Sequence, residues 1–85
     1  MLVCYSKIKE MKRAGVYRIR GTRGTRVGQS KNVPRRIPQV LREHERCIGK
    51  PVKIDFFPAV GQANRRRLEK KVIARTRPSC NIINA

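Results

Sequence analysis

The sequence is poor in acidic residues. Only five Asp and Glu stand against twenty-two Lys and Arg in 85 residues. A catalytic site built on two bridged metal ions needs several converging carboxylates, so this scarcity argues against such a site. Three of the acids lie in strongly charged stretches, which leaves Asp55 in a strand-like run and Glu69 in a helix-like run. Any catalytic metal would therefore be held by about one carboxylate, with waters and substrate phosphate, a coordination that Mg²⁺ accepts.

Cysteine and histidine are too few for the sites that they usually build. Cys4, Cys47 and Cys80 are far apart in sequence. An odd number of cysteines cannot all pair within one chain, so a disulfide framework is not expected. Since His44 is the only histidine and there is no C-x-x-C pair, a zinc site would need all four side chains to converge from unrelated segments. We interpret the cysteines as small, mostly buried hydrophobic residues.

Long hydrophobic runs are also missing. The apolar residues are spread in short runs, far from the roughly 20 residues that a membrane span needs. Residues 1–9 lack the apolar stretch and cleavage site of a secretory signal. No Pro/Gly/Ser-rich linker or internal repeat divides the chain. We expect one soluble domain over residues 1–85 that is cytoplasmic or nucleoid-associated and not secreted.

Positive charge is abundant. The formal net charge is +17, a self-repelling load that a polyanionic partner would relieve. A membrane-surface role would need a basic amphipathic helix with a bulky apolar face, and no segment has one. A highly charged surface that serves only solubility is the other interpretation. We favour nucleic acid as the partner and expect no membrane association.

Strand and turn signals are clear in three segments. Gly15–Arg20 and Thr25–Gly28 are typical of two strands, and the turn at residues 21–24 between them predicts a β-hairpin. Val52–Phe56 alternates apolar and polar residues, which predicts a third strand.

Three segments have helical features. Ser6 is typical of a helix cap and predicts a short helix through Arg13. From Asn32 the next helix should bury one side, which carries Val33, Ile37, Val40, Leu41 and His44. Pro38 predicts that this helix either kinks or restarts there. The third helix should run from about Gln62 to Thr76, because a proline at position 78 disfavours helix at the residue before it.

One acidic residue on the third helix falls on the apolar side. On a wheel of about 100° per residue, Glu69 lies in the sector of Leu68, Val72 and Ile73. The opposite side carries only cations among its charged residues: Arg66, Arg67, Lys70, Lys71 and Arg75. The carboxylate is either part of an internal salt bridge, for example with Arg65, or a metal ligand or acid in a cleft.

Two short motifs resemble the pair that defines the GIY-YIG nuclease family. Gly15-Val16-Tyr17 stands in the place of the first motif, and Arg26-Val27-Gly28 stands in the place of the second. The family has an arginine ten residues after the first position of the second motif, and Arg36 has that spacing here.

The resemblance covers residues 15–81. The family has a glutamate on a later helix and an asparagine past a proline, which Glu69 and Asn81 match. The spacing is most similar to the catalytic module of the bacterial excision-repair incision subunit. The resemblance implies an α/β sandwich, with a small, mainly antiparallel three-stranded sheet flanked by helices.

The resemblance also implies roles for single residues. Tyr17 would lie by the scissile phosphate, as general base or as positioner of the attacking water. Arg36, which borders the apolar arc of its helix while Arg35 points away, would stabilise the developing charge. Glu69 would bind a single Mg²⁺ or Mn²⁺ ion, and Asn81 would support the site through hydrogen bonds.

The sequence departs from the family at Arg26, where the second motif has a tyrosine. Arginine cannot act as a base because its pKa exceeds about 12. Proton abstraction would then depend on Tyr17, on His44 or on a metal-bound water. Gln29 stands where related enzymes often have a lysine, which removes one source of tyrosine pKa depression. We expect His44 to flank its helix rather than to catalyse.

The function that we expect is metal-dependent endonucleolytic hydrolysis of DNA, with double-stranded DNA as substrate. Any sequence specificity would be supplied by a partner protein or a homodimer, since no separate DNA-reading domain is recognised in the sequence. One alternative is a catalytically impaired module that binds nucleic acid, which Arg26 favours. Another is a basic RNA-binding structural protein such as a ribosomal component, which leaves Glu69 and the ordered motifs unexplained.

Overall fold

A computed structural model describes residues 14–81, in which strands and helices alternate in short runs. The elements are β1 (Gly15–Gly21), β2 (Thr25–Ser30), α1 (Val33–Glu43), α2 (Glu45–Ile48), β3 (Pro51–Pro58), α3 (Gln62–Thr76) and a 3₁₀ turn (Ser79–Asn81). The helix expected over residues 6–13 lies outside the described residues. Within the described part, no helix has the length and apolar character needed to cross a membrane.

The three strands form one antiparallel sheet in the order β2-β1-β3. β1 is central because its residues are apolar on both faces: Val16, Tyr17 and Ile19 are all buried. The hairpin turn is closed by the Gly21 N–H, which donates to the Gly24 carbonyl at 2.8 Å. The structure confirms the hairpin, the third strand and the antiparallel three-stranded sheet with helices.

Each face of the sheet packs against different helices, which follows from the alternation of side chains along a strand. One face carries Tyr17 and Ile19, and its core is completed by Val33, Ile37, Val40, Ile48, Ile54 and Cys80. The other face carries Val16 and Val27, which pack with Val72 and with the half-buried Phe57, Leu68 and Ile73.

α1 is one continuous helix. It begins after Asn32, whose side chain accepts the N–H of Arg35 at 3.4 Å, and it runs through Pro38 to Glu43. Of the two alternatives expected at Pro38, a kink or a restart, the restart is therefore excluded. Pro38 is exposed, so the helical hydrogen bond that it cannot make is lost on the solvent side of the helix.

α3 has the predicted bounds and the predicted sides. Val72 is buried, and the five predicted cations of the opposite side are all exposed. One partner considered for an internal salt bridge with Glu69 is excluded. Arg65 is buried, with 6% of its surface exposed, and its Nε donates to Gln29 Oε1 at 3.0 Å rather than pairing with Glu69. A side-chain amide on the adjacent strand accepts this hydrogen bond, so Glu69 is left without that partner.

Two of the cysteines form a disulfide, which corrects the expectation of free cysteines. Cys47 and Cys80 are bonded, with their Cα atoms 5.7 Å apart, a usual separation for a disulfide. Cys47 is exposed and Cys80 is buried. The bond joins α2 to the 3₁₀ turn, two segments whose proximity depends on the whole fold. Cys4 lies outside the described residues.

Candidate active site

The first part of the candidate site is built where β1 and β2 pair. Tyr17 lies opposite Gly28 in the register, and only 2% of its surface is exposed. A Cβ atom at Gly28 would overlap the Tyr17 hydroxyl and the ring carbon that bears it. Glycine is therefore required at this position of β2, because it lets the phenol lie flat against the strand.

Two arginines approach the Tyr17 hydroxyl from different elements. Arg26 comes from β2 and Arg36 from α1. Burial raises the pKa of Tyr17 above its ordinary value of 10.0, and the charges and hydrogen bonds of Arg26 and Arg36 offset this only in part. Tyr17 is therefore a neutral phenol at physiological pH. It can donate a hydrogen bond to an anion or to water, but it is not a ready base.

Arg26 lies at the centre of the site. Its Nη1 donates to the carbonyl of Cys80 at 2.9 Å, and its buried Nε has no hydrogen-bond partner among the described residues. Its positive charge lowers the pKa of Tyr17, of His44 and of Glu69. One guanidinium, fixed at one end by a main-chain carbonyl, therefore acts on all three ionisable groups of the site.

Glu69 reaches the site from α3. Burial raises the pKa of its carboxyl above the ordinary 4.5, and the charges of Arg26 and Arg66 act against this shift. Among the ion pairs of residues 14–81, none involves Glu69. Glu69 is thus a half-buried carboxylate that is influenced by two guanidiniums and paired with neither.

The donor set near Glu69 fits one weakly held divalent metal ion. The described part of the chain contains no group of three His, Cys, Asp or Glu residues that could hold a metal by themselves. Mg²⁺ keeps most of its waters and binds through one or two carboxylates plus phosphate oxygens, which a single free carboxylate can satisfy. A divalent ion held here would be repelled by the positive charges of Arg26 and Arg66 unless an anion were bound beside it.

Asn81 holds the edge of the sheet next to Arg26. Its side-chain oxygen accepts the N–H of Val27 at 2.7 Å, and its amide nitrogen donates to the Val27 carbonyl at 2.6 Å. Two residues earlier, the Ser79 hydroxyl accepts the N–H of Thr25 at 3.2 Å. The 3₁₀ turn therefore satisfies polar groups on the free edge of β2, and Asn81 positions the strand that carries Arg26.

Arg36 is held loosely by its own helix. Its Nη2 lies 3.4 Å from Glu43 Oε1, but 32% and 45% of these side chains are exposed, and surface pairs of this kind contribute little. Arg35, the neighbouring arginine, is fully on the exposed side, as the helical wheel predicts. Arg36 is thus held only weakly by its carboxylate partner.

His44 connects α1 to α2. Its main-chain carbonyl accepts the N–H groups of Cys47 and Ile48 at 3.1 and 2.9 Å. Burial lowers the pKa of the imidazole, Arg26 and Arg36 lower it further, and Glu43 acts in the opposite direction. His44 thus lies between the two helices, and its lowered pKa leaves the imidazole neutral at pH 7.

Asp55, the other candidate acid, lies on the face of the sheet away from Tyr17. It stands opposite Arg18 in the β1 and β3 register, and Arg18 donates to it through Nε at 2.8 Å. Arg20 and Lys53 lie 3.7 Å from it. Sequence reasoning did not identify this cluster, although the alternation of the two strands would have placed Arg18 and Asp55 on one face once the register was known.

No family model, curated protein or solved structure matches the chain.

Proposed function

We propose that the chain is a GIY-YIG-type domain that binds double-stranded DNA through its phosphates and hydrolyses one phosphodiester with the help of a single divalent metal ion. The observation that carries this proposal is the convergence of Tyr17, Arg26, Arg36 and Glu69. These four residues come from β1, β2, α1 and α3, and the pKa shifts of Tyr17 and Glu69 link all four. The net charge of +17 supplies the long-range attraction for a polyanion.

The two guanidiniums and the phenol suit a phosphate group. Guanidinium groups donate pairs of hydrogen bonds to phosphate oxygens and stay charged at every relevant pH. Arg36 and Arg26 bind the phosphate and stabilise the charge that develops on it during hydrolysis. Tyr17, which stays protonated, donates to a phosphate oxygen or orients the attacking water.

Glu69 would hold the metal ion, Mg²⁺ or Mn²⁺. When bound, the ion supplies Lewis acidity at the phosphoryl oxygen. Among the described residues near the site, His44 is the side chain with an unprotonated nitrogen at neutral pH, because its pKa is lowered. It is the group of this chain that we assign to accept a proton in the reaction.

Nicking of supercoiled plasmid tests the proposal. Wild-type protein should nick with Mg²⁺ or Mn²⁺ and stop when a chelator is added. Glu69→Gln should bind DNA with unchanged affinity and fail to cut. Glu45→Gln is the matched control, since Glu45 is an exposed acid at the start of α2, and it should cut as wild type does. Normal cutting by Glu69→Gln would contradict the assignment.

A second candidate is a module that binds nucleic acid without cutting it. The observation in its favour is that Arg26 occupies the second-motif position while the pKa of Tyr17 is raised, so neither residue can take a proton at neutral pH. Such a module would show strongly salt-dependent DNA binding and no metal-dependent nicking at any pH. Recovery of nicking on Arg26→Tyr would identify it as an impaired member of the family.

A further inference from the structure

The exposed half of α3 carries unpaired cations on two opposite rims. On a wheel of about 100° per residue, Arg66 and Lys70 fall on the rim next to Glu69, whereas Lys71 and Arg75 fall on the far rim. All four are exposed, and none belongs to an ion pair of residues 14–81. The two rims have the same charge and differ in direction.

The near rim continues the candidate site. Arg66 and Arg26 both lower the pKa of Glu69, and Arg26 and Arg36 both lower the pKa of Tyr17. Arg26 stands opposite Ile19 in the register, on the side of the sheet that carries Tyr17 and packs against α1, the helix of Arg36. Together with Lys70, one helical turn beyond Arg66, the three arginines form a row across α1, β2 and α3. We call this row the cationic track, and its members are Arg36, Arg26, Arg66 and Lys70.

The far rim belongs to a different surface. Lys71 and Arg75 line a groove of about 810 Å³ between α3 and the sheet, together with Arg18 and Phe57. Arg18 is already committed there: it is paired with Asp55 at 2.7 Å, and its guanidinium carbon lies 5.7 Å from the centre of the Phe57 ring. This groove opens on the face of the sheet away from Tyr17.

The geometry points to the cationic track as the DNA-binding surface, with the duplex backbone running over Tyr17 and Glu69 and leaving the far rim of α3 uncovered. This inference rests on the proposed function. Arg66 and Lys70 are separated by about 6 Å along the helix. That rise spans about two phosphates of one strand, which are spaced at about 3.4 Å along the duplex axis. If a DNA strand is bound there, its next phosphates lie towards Arg26 and Arg36.

Two double variants of the full chain test the direction of binding. Arg66→Gln with Lys70→Gln removes the near rim, and Lys71→Gln with Arg75→Gln removes the same charge from the far rim of the same helix. Glutamine keeps the helix propensity close to that of lysine and arginine, and circular dichroism checks the fold. Affinity for a short fluorescein-labelled DNA duplex is measured by anisotropy between about 50 and 200 mM salt.

The near-rim variant should lower the slope of log affinity against log salt by about 2, because each lost phosphate contact contributes about 0.9. The far-rim variant should keep the wild-type slope. Equal losses in both variants, or a loss in the far-rim variant alone, would overturn the track while leaving DNA binding intact. A wild-type affinity that does not change with salt would overturn both the track and the proposed function.

Discussion

Two clusters of cations in this chain are built in opposite ways. At the Asp55 cluster, Arg18, Arg20 and Lys53 surround one carboxylate, and Arg18 contacts it at 2.7 and 2.8 Å. Along the cationic track, the only acid at the centre is Glu69, and it is in no ion pair of residues 14–81. The carboxylate of the first cluster has its cationic partners within the fold, without a ligand. The second cluster has one exposed ion pair, between Arg36 and Glu43, and its other three cations are in no ion pair of residues 14–81, so a bound anion would relieve their mutual repulsion.

The difference shows how a very basic chain can divide its charges between structure and binding. A paired, partly buried guanidinium satisfies its hydrogen bonds within the fold and stabilises it. An unpaired guanidinium on a fixed main-chain anchor, such as Arg26 on the Cys80 carbonyl, is already oriented for a phosphate and needs little reorganisation to bind it. The following variants separate the two kinds of arginine, in order of decreasing effect.

The largest effect is expected from one pair of arginine substitutions. Arg36→Gln should slow plasmid nicking by about 10² to 10³, the usual cost of losing one donor to developing charge, and leave the free energy of unfolding within about 0.5 kcal/mol. Arg18→Gln should do the reverse. It should lower the free energy of unfolding by about 1.5 to 3 kcal/mol, as expected for hydrogen bonds to a charged group, with nicking per folded molecule unchanged. Urea unfolding and nicking rates measure both quantities, and similar effects of the two variants on cutting would abolish the distinction.

Reduction of the disulfide should loosen the structure around the cationic track more than the structure around the Asp55 cluster. The bond between Cys47 and Cys80 closes a separation of 33 residues, for which the chain-entropy relation gives a stabilisation of roughly 3 to 4 kcal/mol. Reduction also frees the turn whose Cys80 carbonyl anchors Arg26.

A reductant, or Cys47→Ser with Cys80→Ser, should therefore lower the unfolding midpoint and weaken DNA binding in the fraction that remains folded. Hydrogen exchange of the Val27 amide, which donates to Asn81, should accelerate while that of the β1 and β3 amides around Asp55 changes less. Unchanged exchange at Val27 would show that the turn is held without the bond.

Tyr17→Phe tests whether the phenol beside the cationic track donates a hydrogen bond or acts as a base. Since burial raises the pKa of Tyr17 above 10.0, the hydroxyl stays protonated throughout the assay range. The variant should slow nicking by about 10- to 100-fold, as for a lost hydrogen bond to a charged group, by the same factor at each pH between about 6 and 9. A rate loss that grows with pH would mean that the tyrosinate is the base.

The same shift predicts a stability effect of known sign. Below pH 10.0 the phenol is protonated in both states, and the contribution to stability is complete. As pH rises further, the unfolded tyrosine ionises first, so stability falls as the pH passes through the folded pKa. Tyr17→Phe should lose this part of the alkaline decline in thermal stability.

The smallest effect is expected from Glu69→Gln. The loss of a structural salt bridge would lower the free energy of unfolding, whereas this substitution should leave it unchanged or raise it slightly. The pKa of Glu69 is raised above 4.5, so its contribution to stability is complete below that pH and is lost as pH rises through the folded pKa. Glu69→Gln should therefore be as stable as wild type at pH 7, or more stable by less than about 1 kcal/mol, because solvent screens a half-exposed group. The gain should shrink towards pH 4.5. Destabilisation at neutral pH would indicate that Glu69 has a cationic partner and belongs with residues such as Asp55.

Local patterns were sufficient for most elements. The Gly-rich turn and the alternation of Gly15–Arg20 predict the hairpin, and the proline at position 78 predicts the end of α3. The wheel of α3 places Val72 inward and its five cations outward, as the structure has them. Such signals depend on neighbours within a few residues, which is why they can be read from the chain. At Pro38 the helix continues rather than restarting, because a helix can lose one hydrogen bond on its solvent side.

Contacts between distant residues could not be predicted in the same way. The partner of Arg65 is Gln29, 36 residues away, and that of Arg18 is Asp55, 37 residues away. The disulfide has a separation of 33 residues. Each pair depends on strand register and on the position of a helix over the sheet, neither of which is a property of a short window.

The amino-acid sequence by itself determined the approximate positions of the strands, the bounds of α3, the positive charge, and which side of α3 faces the core, because these follow from residue type and short-range periodicity. Only the tertiary structure decided which charges are paired. The hydrogen bond and ion pair of Arg18 with Asp55, the anchor of Arg26 on Cys80 and the unpaired state of Glu69 arise from segments that are far apart in the chain. The strength of a charge interaction depends on distance and burial in the folded molecule, and neither quantity exists before the segments are brought together.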